Sequence, residues 1–303
     1  MAFGISTLQD LWAGPMDLII NRMRLGKKGA LLAILVAAGC QSLDKSGSSE
    51  LATTTNALNS KDFTYCTIGD CSISSSAQLL NDLGVPLSVH HECVSPDHYA
   101  MTFDDAPSSE LPTLLEILGK EHVPATIFVI GSKVDSEEKR ALLRSAFKEG
   151  HQISNHSFTH PDLTKLTPKE VSDQATKTRD VILKALGSSE RAVRGANYLK
   201  PPYGLIDAAV QRSLEDSGFT TLRWNADRAD WSLTDKDTAT VIGRVQQQLE
   251  LVAAKKATGI NTSLLDLNHD YAHVTTKVLP EMIAMVRKAG YRFVTVQECL
   301  GGR

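Results

Sequence analysis

The chain carries no surplus of charge. Its 32 Lys and Arg stand against 35 Asp and Glu, a net charge of −3, so it lacks the basic face that a nucleic-acid footprint needs. The apolar run Gly29 to Gly39 is too short to cross a bilayer, which takes about 20 residues. No internal repeat is present, so the fold is not a stacked array. Cysteine is scarce, five in 303 residues. What the chain does have is a composition 42% hydrophobic and 22% charged, enough for one large globular domain or two small ones. Nothing in these balances calls for a protein partner.

Arg22, Arg24, Lys27 and Lys28 precede the apolar run, which suits the basic region and core of a signal peptide over residues 1–40. Ala37-Ala38-Gly39 before Cys40, with Gln41-Ser42 after it, resembles a bacterial lipoprotein box, although Ala37 stands where Leu is commoner. Cys40 would then carry lipid, and the membrane would be met only through that anchor. The expected address is outside the cytoplasm: a periplasmic or cell-envelope lipoprotein, or a secreted protein if the signal is simply cleaved. Residues 41–96 read as a tether rich in Ser, Thr and Asn followed by a small extension. Export permits disulfides. Apart from Cys40 there remain Cys66, Cys71, Cys93 and Cys299, for which three pairings exist. If the first and last strands of the domain are neighbours in a closed sheet, a Cys93–Cys299 bridge ties its ends together. Cys66 and Cys71 then close a small local loop.

From residue 97 to 300 apolar runs of strand length alternate with helical stretches. The strands are Tyr99–Phe103, Ala125–Ile130, His151–Asn155, Asn197–Pro201, Phe219–Trp224, Ser263–Asn268 and Tyr291–Val296. The helices are Ser109–His122, Ser136–Glu149, Pro168–Leu186, Leu205–Ser217, Thr238–Lys255 and Val274–Ala289. Thr167-Pro168 with Glu170 marks one helix start, a capping residue before a proline at the first helical position. The alternation predicts an α/β fold with a parallel sheet, either closed as a (β/α) barrel one unit short of eight or open and doubly wound.

The polar motifs sort to the carboxyl ends of these strands, the face on which such folds build active sites. Asp104-Asp105 follows the first strand and His156-Ser157-Phe158-Thr159-His160 the third. Pro201-Pro202-Tyr203-Gly204 follows the fourth, Asp227 to Trp231 the fifth and His269 the sixth. Two imidazoles four residues apart share a face if the segment turns helically. One Asp with two His makes a three-ligand metal set with open positions. The other carboxylate is then free to take a proton from water. His269, oriented by Asp230, suits a proton donor to a leaving group, and Tyr203 and Trp231 are aromatics at the same rim. His90, His91, His98, His122, His151 and His273 do not sort onto this face and read as structural or exposed. A non-haem iron oxygenase also uses two His and one carboxylate, but leaves Asp104, Asp230 and His269 without work.

Five ordered motifs over roughly residues 95–300 resemble the polysaccharide deacetylases, the NodB homology domain or family-four carbohydrate esterases. They are Thr102-Phe103-Asp104-Asp105, His156 to Pro161, Leu199 to Gly204, Asp227-Arg228-Ala229-Asp230-Trp231 and Leu267-Asn268-His269. The resemblance implies a distorted (β/α)7 barrel with a short N-terminal extension. It also implies removal of the N-acetyl group from N-acetylglucosamine units of a polysaccharide. Peptidoglycan is the favoured substrate and chitin or its oligomers the alternative. Asp104 would be the general base, and Asp105, His156 and His160 would hold Zn2+, Co2+ or another divalent ion. Tyr203 would offer its backbone N–H to the oxyanion, His269 would protonate the amine under the orientation of Asp230, Leu267 and Trp231 would line the pocket for the acetyl methyl, and Pro202 would belong to the substrate site. The terminal segment Tyr291 to Gly301 resembles the fungal chitin deacetylase branch, which pairs the cysteines flanking the domain. Two positions depart from the family. Ala106 replaces a Gly, which matters only if the turn needs positive φ. Lys200 replaces the Arg that pairs with the base, keeping the charge without the bidentate fork and raising the alternative of a sugar-binding protein with weak or no turnover.

Overall fold

The computed structural model describes residues 89–256 and 261–302. Cys40, Cys66, Cys71, the signal segment and most of the tether and extension lie outside the described residues. The elements are β1 (His98–Ala100), β2 (Thr102–Ala106), α1 (Leu111–Lys120), β3 (Thr126–Val129), α2 (Glu137–Lys148), β4 (Gln152–Asn155), α3 (Pro168–Leu186), α4 (Glu190–Ala196), β5 (Tyr198–Leu199), α5 (Ala208–Asp216), β6 (Thr220–Thr221), β7 (Ala226–Asp227), α6 (Thr238–Lys256), β8 (Leu264–His269), α7 (His273–Lys288), β9 (Arg292–Val294) and α8 (Val296–Cys299). No helix among the described residues is long and apolar enough to cross a membrane.

All strand pairs are parallel, in the order β6-β5-β4-β3-β2-β8-β1-β9, with β7 lying on β8. Strands β2 to β8 therefore go round a distorted seven-stranded barrel, joined where β8 pairs with β2 on one edge and β7 on the other. Among the described residues no ladder joins β6 to β7, and the barrel is open there. A bridge between His90 and Leu222 lies along the end of β6.

The first strand is not the single run its sequence suggests. Its β8 edge is continuous, with Ala100 opposite Leu265 and Asp104 opposite His269. Its other edge changes partner, from β9 along β1 to β3 along β2, and Met101 lies at the handover. The run Phe219–Trp224 forms a ladder only over Thr220–Thr221, and Ala226–Asp227 forms a strand of its own. The last strand stops at Val294, because the Thr295 side chain accepts from the Glu298 N–H and starts α8. The helix α4, which has no strong apolar period, is an addition to the sequence pattern.

Side chains alternate along the strands. Ile127 and Val129 pack with Leu111, Leu114 and Leu118 of α1 in the larger core, between sheet and helices. Phe128 joins Ala100, Tyr198, Leu222, Leu265 and Val294 in a second cluster. Thr167 and Glu170 form a reciprocal capping box at the start of α3, each side chain accepting the other's backbone N–H. β1 and β9 are neighbours, and Cys93 and Cys299, 206 residues apart, are joined by a disulfide.

Candidate active site

Asp104 and Asp105 end β2, and their carboxylates differ sharply in surroundings. Asp104 is buried, and Oδ1 accepts from Lys200 Nζ at 2.8 Å. The Lys200 ammonium also donates to Thr102 Oγ1 at 2.6 Å and faces the Phe128 ring, 4.6 Å from its centroid. A fully buried lysine thus has its charge answered by a carboxylate, a hydroxyl and an aromatic face. Lys200, where the family resemblance leads one to expect an arginine, still reaches Asp104.

Asp105 turns the other way because its backbone is left-handed, with φ 67°. Its Oδ1 is buried without a hydrogen-bond partner, 3.5 Å from His156 Nε2 and 3.3 Å from His160 Nε2. His156 Nδ1–H donates to the Lys200 carbonyl at 2.6 Å, which leaves Nε2 as a lone pair. Burial, outweighing the pull of Asp105, takes the His156 pKa down to about 3, and His160 is also lowered by burial. An Asp105 oxygen without a hydrogen-bond partner and an imidazole lone pair therefore face each other. These three residues offer ligand atoms all within 4.8 Å of one another, and such a set of acceptors fits a divalent cation.

The two imidazoles meet without a helix. Residues 156–160 form an irregular bend in which Ser157 and His160 both have positive φ, 64° and 59°. The spacing that suits a helix is met instead by a loop held from three sides. Asn155 Oδ1 accepts from Ser157 N at 3.0 Å, and Ser157 Oγ from His160 N at 3.1 Å. Gln174 Oε1, reaching over from α3, accepts from Phe158 N and Thr159 N at 2.8 and 2.9 Å. Gln174 was not visible as a site residue in the sequence, since nothing local distinguishes it on its helix.

On the β8 side, His269 Nδ1–H donates to Asp230 Oδ1 at 2.8 Å, and His269 N donates to Asp230 Oδ2 at 2.8 Å. Thr275 Oγ1 adds a third donor to Asp230, at 2.6 Å. Burial alone would lower the His269 pKa, but the Asp230 hydrogen bond and charge, with Asp104 and Asp105 behind, raise it. With Nδ1 committed to Asp230, Nε2 is the ring nitrogen left for other chemistry. Below this pair, the fully buried Arg228 forms an ion pair with Asp266, and its Nη2 donates to Tyr99 OH at 2.7 Å. Motif residue Arg228 thus ties the turn carrying Asp230 to β8 and β1. Lys133 Nζ donates to the Asp105 carbonyl at 2.7 Å, and Ser108 N to Asp270 Oδ2 at 2.6 Å, which fixes the loop after β2. Burial raises the Asp270 pKa to about 6.

The remaining sequence candidates divide by exposure. Tyr203 and Trp231 are exposed, whereas Pro202 and Leu267 are buried. The Tyr203 ring stands edge-on to His160, centroids 4.6 Å apart. Tyr271, absent from the sequence reading, is a third exposed aromatic, 5.2 Å from the His269 ring. Ala106 does not take positive φ; the left-handed residue of that turn is Asp105, so losing the family glycine costs nothing here. Gly204 does need to be glycine. Its φ is +64°, and a Cβ on it would lie 2.6 Å from Trp224 Cη2. Gly204→Ala is expected to cost about 2 kcal/mol, read as a lower urea midpoint at unchanged slope. His98 and His151 are buried away from this face, bonded to Arg292 and to Ala125 N.

Comparison with known proteins agrees with this geometry. Residues 91–222 match the polysaccharide deacetylase family. The chain is 32% identical over 203 residues to the peptidoglycan-N-acetylglucosamine deacetylase PgdA of Listeria monocytogenes, a match covering 67% of this chain and 38% of that protein. It thus spans about two fifths of the length of the first curated relatives it matches. The structure of the chitin deacetylase from the fungus Colletotrichum lindemuthianum is 28% identical, with 70% of this chain and 91% of that one covered and a TM-score of 0.62. A T48 deacetylase solved with substrate is 30% identical, with 68% and 92% covered and a TM-score of 0.56. With the fold, the motif order and these likenesses in agreement, the chain belongs to the polysaccharide deacetylase family.

Proposed function

We propose that this chain is a metal-dependent amidohydrolase that removes acetyl groups from N-acetylglucosamine units of an exported polysaccharide, peptidoglycan ahead of chitin. The observation that carries the reading is the convergence of ligand atoms from Asp105, His156 and His160 beside the lysine-paired Asp104. A divalent ion held there, Zn2+ in this reading with Co2+ able to substitute, would polarise the acetamide carbonyl and make a nearby water more acidic. Asp104 accepts the proton of the attacking water while Lys200 holds its other oxygen. The Tyr203 backbone N–H, aimed by a left-handed φ of 58°, stabilises the developing oxyanion. His269 delivers a proton from Nε2 to the departing amine, and Asp230 with Thr275 keeps that imidazole oriented and charged. Tyr203 offers its face to a sugar ring, Leu267 and Trp231 line the place of the acetyl methyl, and Pro202 borders the substrate.

The names of the Listeria and Colletotrichum relatives bracket the substrate choice. The lipoprotein-like sequence around Cys40 favours the cell-wall polymer and a place in the envelope. The test is acetate release from peptidoglycan and from chitin oligomers by the zinc-loaded protein. Release from peptidoglycan at the higher rate is expected; release from neither sinks the deacetylase reading. A pH profile checks the acid. Asp230 raises the His269 pKa, so the protonated donor persists to higher pH than in an ordinary imidazole. Asp230→Asn removes the charge, lowers that pKa and moves the alkaline limb of kcat to lower pH. An unmoved limb would take His269 out of the role.

A further inference from the structure

Past the end of β6, on the edge that no ladder joins to β7 among the described residues, stands a cation with an aromatic neighbour and no carboxylate. Arg223, two residues past the end of β6, is half-buried, and its Nε is buried with no hydrogen-bond partner. Other arginines that are wholly or partly buried are engaged: Arg228 by Asp266, Arg244 by the Arg228 carbonyl, Arg179 by the Ser217 carbonyl. Among the described residues no carboxylate pairs with Arg223, and burial is the one influence on its pKa, which it lowers. A half-buried guanidinium that no carboxylate answers, with only its Nε sealed from solvent, leaves its terminal nitrogens to meet an arriving anion.

The place is as telling as the isolation. Arg223 Nε stands 3.4 Å from the point a Cβ on Gly204 would occupy. Gly204 follows Tyr203, whose ring packs on the candidate ligand His160. The guanidinium is thus one residue removed from the rim, with its carbon 5.8 Å from the Trp224 ring. Its backbone is pinned by a 2.8 Å bond from Arg223 N to the His90 carbonyl. A planar guanidinium fork on a fixed backbone matches a carboxylate bidentately, a group that a neutral glycan of hydroxyls and acetamides does not present.

We propose that Arg223 binds a carboxylate of the substrate, so that the site is built for an acid-bearing glycan. This rests on the deacetylase reading and names its substrate class. The test compares zinc-loaded wild type, Arg223→Gln and Arg223→Lys on three oligosaccharides: a neutral chitin oligomer, a peptide-free oligomer whose lactyl groups are free carboxylates, and the same oligomer bearing peptides. In Arg223→Gln the ratio of kcat/KM for acidic over neutral substrate is expected to fall about tenfold through KM, the size of one charge-assisted hydrogen bond. Arg223→Lys should recover part of it. Loss on the peptide-free oligomer assigns the lactyl carboxylate; loss confined to the peptide-bearing one assigns the peptide. A ratio within about twofold of wild type on both acidic substrates overturns the proposal. If wild type turns over none of the three, the deacetylase reading falls and binding by calorimetry decides. Tighter binding of an acidic oligomer, lost in Arg223→Gln, then supports the carboxylate site, and equal binding of all three overturns it.

Discussion

Asp104→Asn is expected to lower acetate release about a thousandfold while the protein stays folded and holds one equivalent of zinc. The magnitude is that of removing a positioned general base. Asparagine is close to isosteric, and its side-chain oxygen can still accept from Lys200, which now donates to Asp104 Oδ1 at 2.8 Å. The three candidate ligands are other residues, and Asp104 Oδ2 lies 3.8 Å from His156 Nε2. Metal content, measured on the same preparation, separates the two jobs. Activity within tenfold of wild type would remove Asp104 from the reaction, and loss of zinc in step with activity would make it a ligand.

Lys200→Met should cost the metal-free protein about 4 kcal/mol in denaturant unfolding. Lys200 and Asp104 are both buried, and removing one partner leaves a carboxylate desolvated and unanswered. Metal must be chelated away for the measurement, because a cation at Asp105 would partly replace the lost charge. The decisive comparison is the double variant Asp104→Asn/Lys200→Met. With no charge left to strand, it should be clearly more stable than Lys200→Met alone, although it lacks activity. A single variant within about 1 kcal/mol of the parent would show that water reaches the pair.

Much of this was legible in the chain itself, and the reasons for what was not are physical. The carboxyl-end placement of Asp104, His156, Asp230 and His269 follows from counting strands, because strand and helix periods are local. The break at Met101 was hidden, since it comes from a change of neighbour on one edge, from β9 to β3, which the strand's own residues do not record. The bend at 156–160 satisfies the same spacing as a helical turn, so spacing could not choose between them. Gln174 and Thr275 act on motifs 15 and 45 residues away and carry no local signature. Lys200 could be flagged as a departure from the family, and with it the reading of a sugar binder without turnover. Only the structure shows that its ammonium meets Asp104, through one hydrogen bond where an arginine fork could offer two.

Asp105, Ser157, His160, Tyr203 and Ala229, none of them glycine, all take positive φ along one rim of the barrel. Each is held in a conformation that costs a side-chain-bearing residue free energy and that only glycine takes freely. The backbone here is therefore a spring compressed by its surroundings: the loop clamps of Asn155 and Gln174 and the packing of Trp224 on Gly204 keep it loaded. Drift toward stability and drift toward precise ligand placement pull on the same φ angles in opposite directions. Glycine at these positions would relieve that strain and free the backbone that aims the ligands.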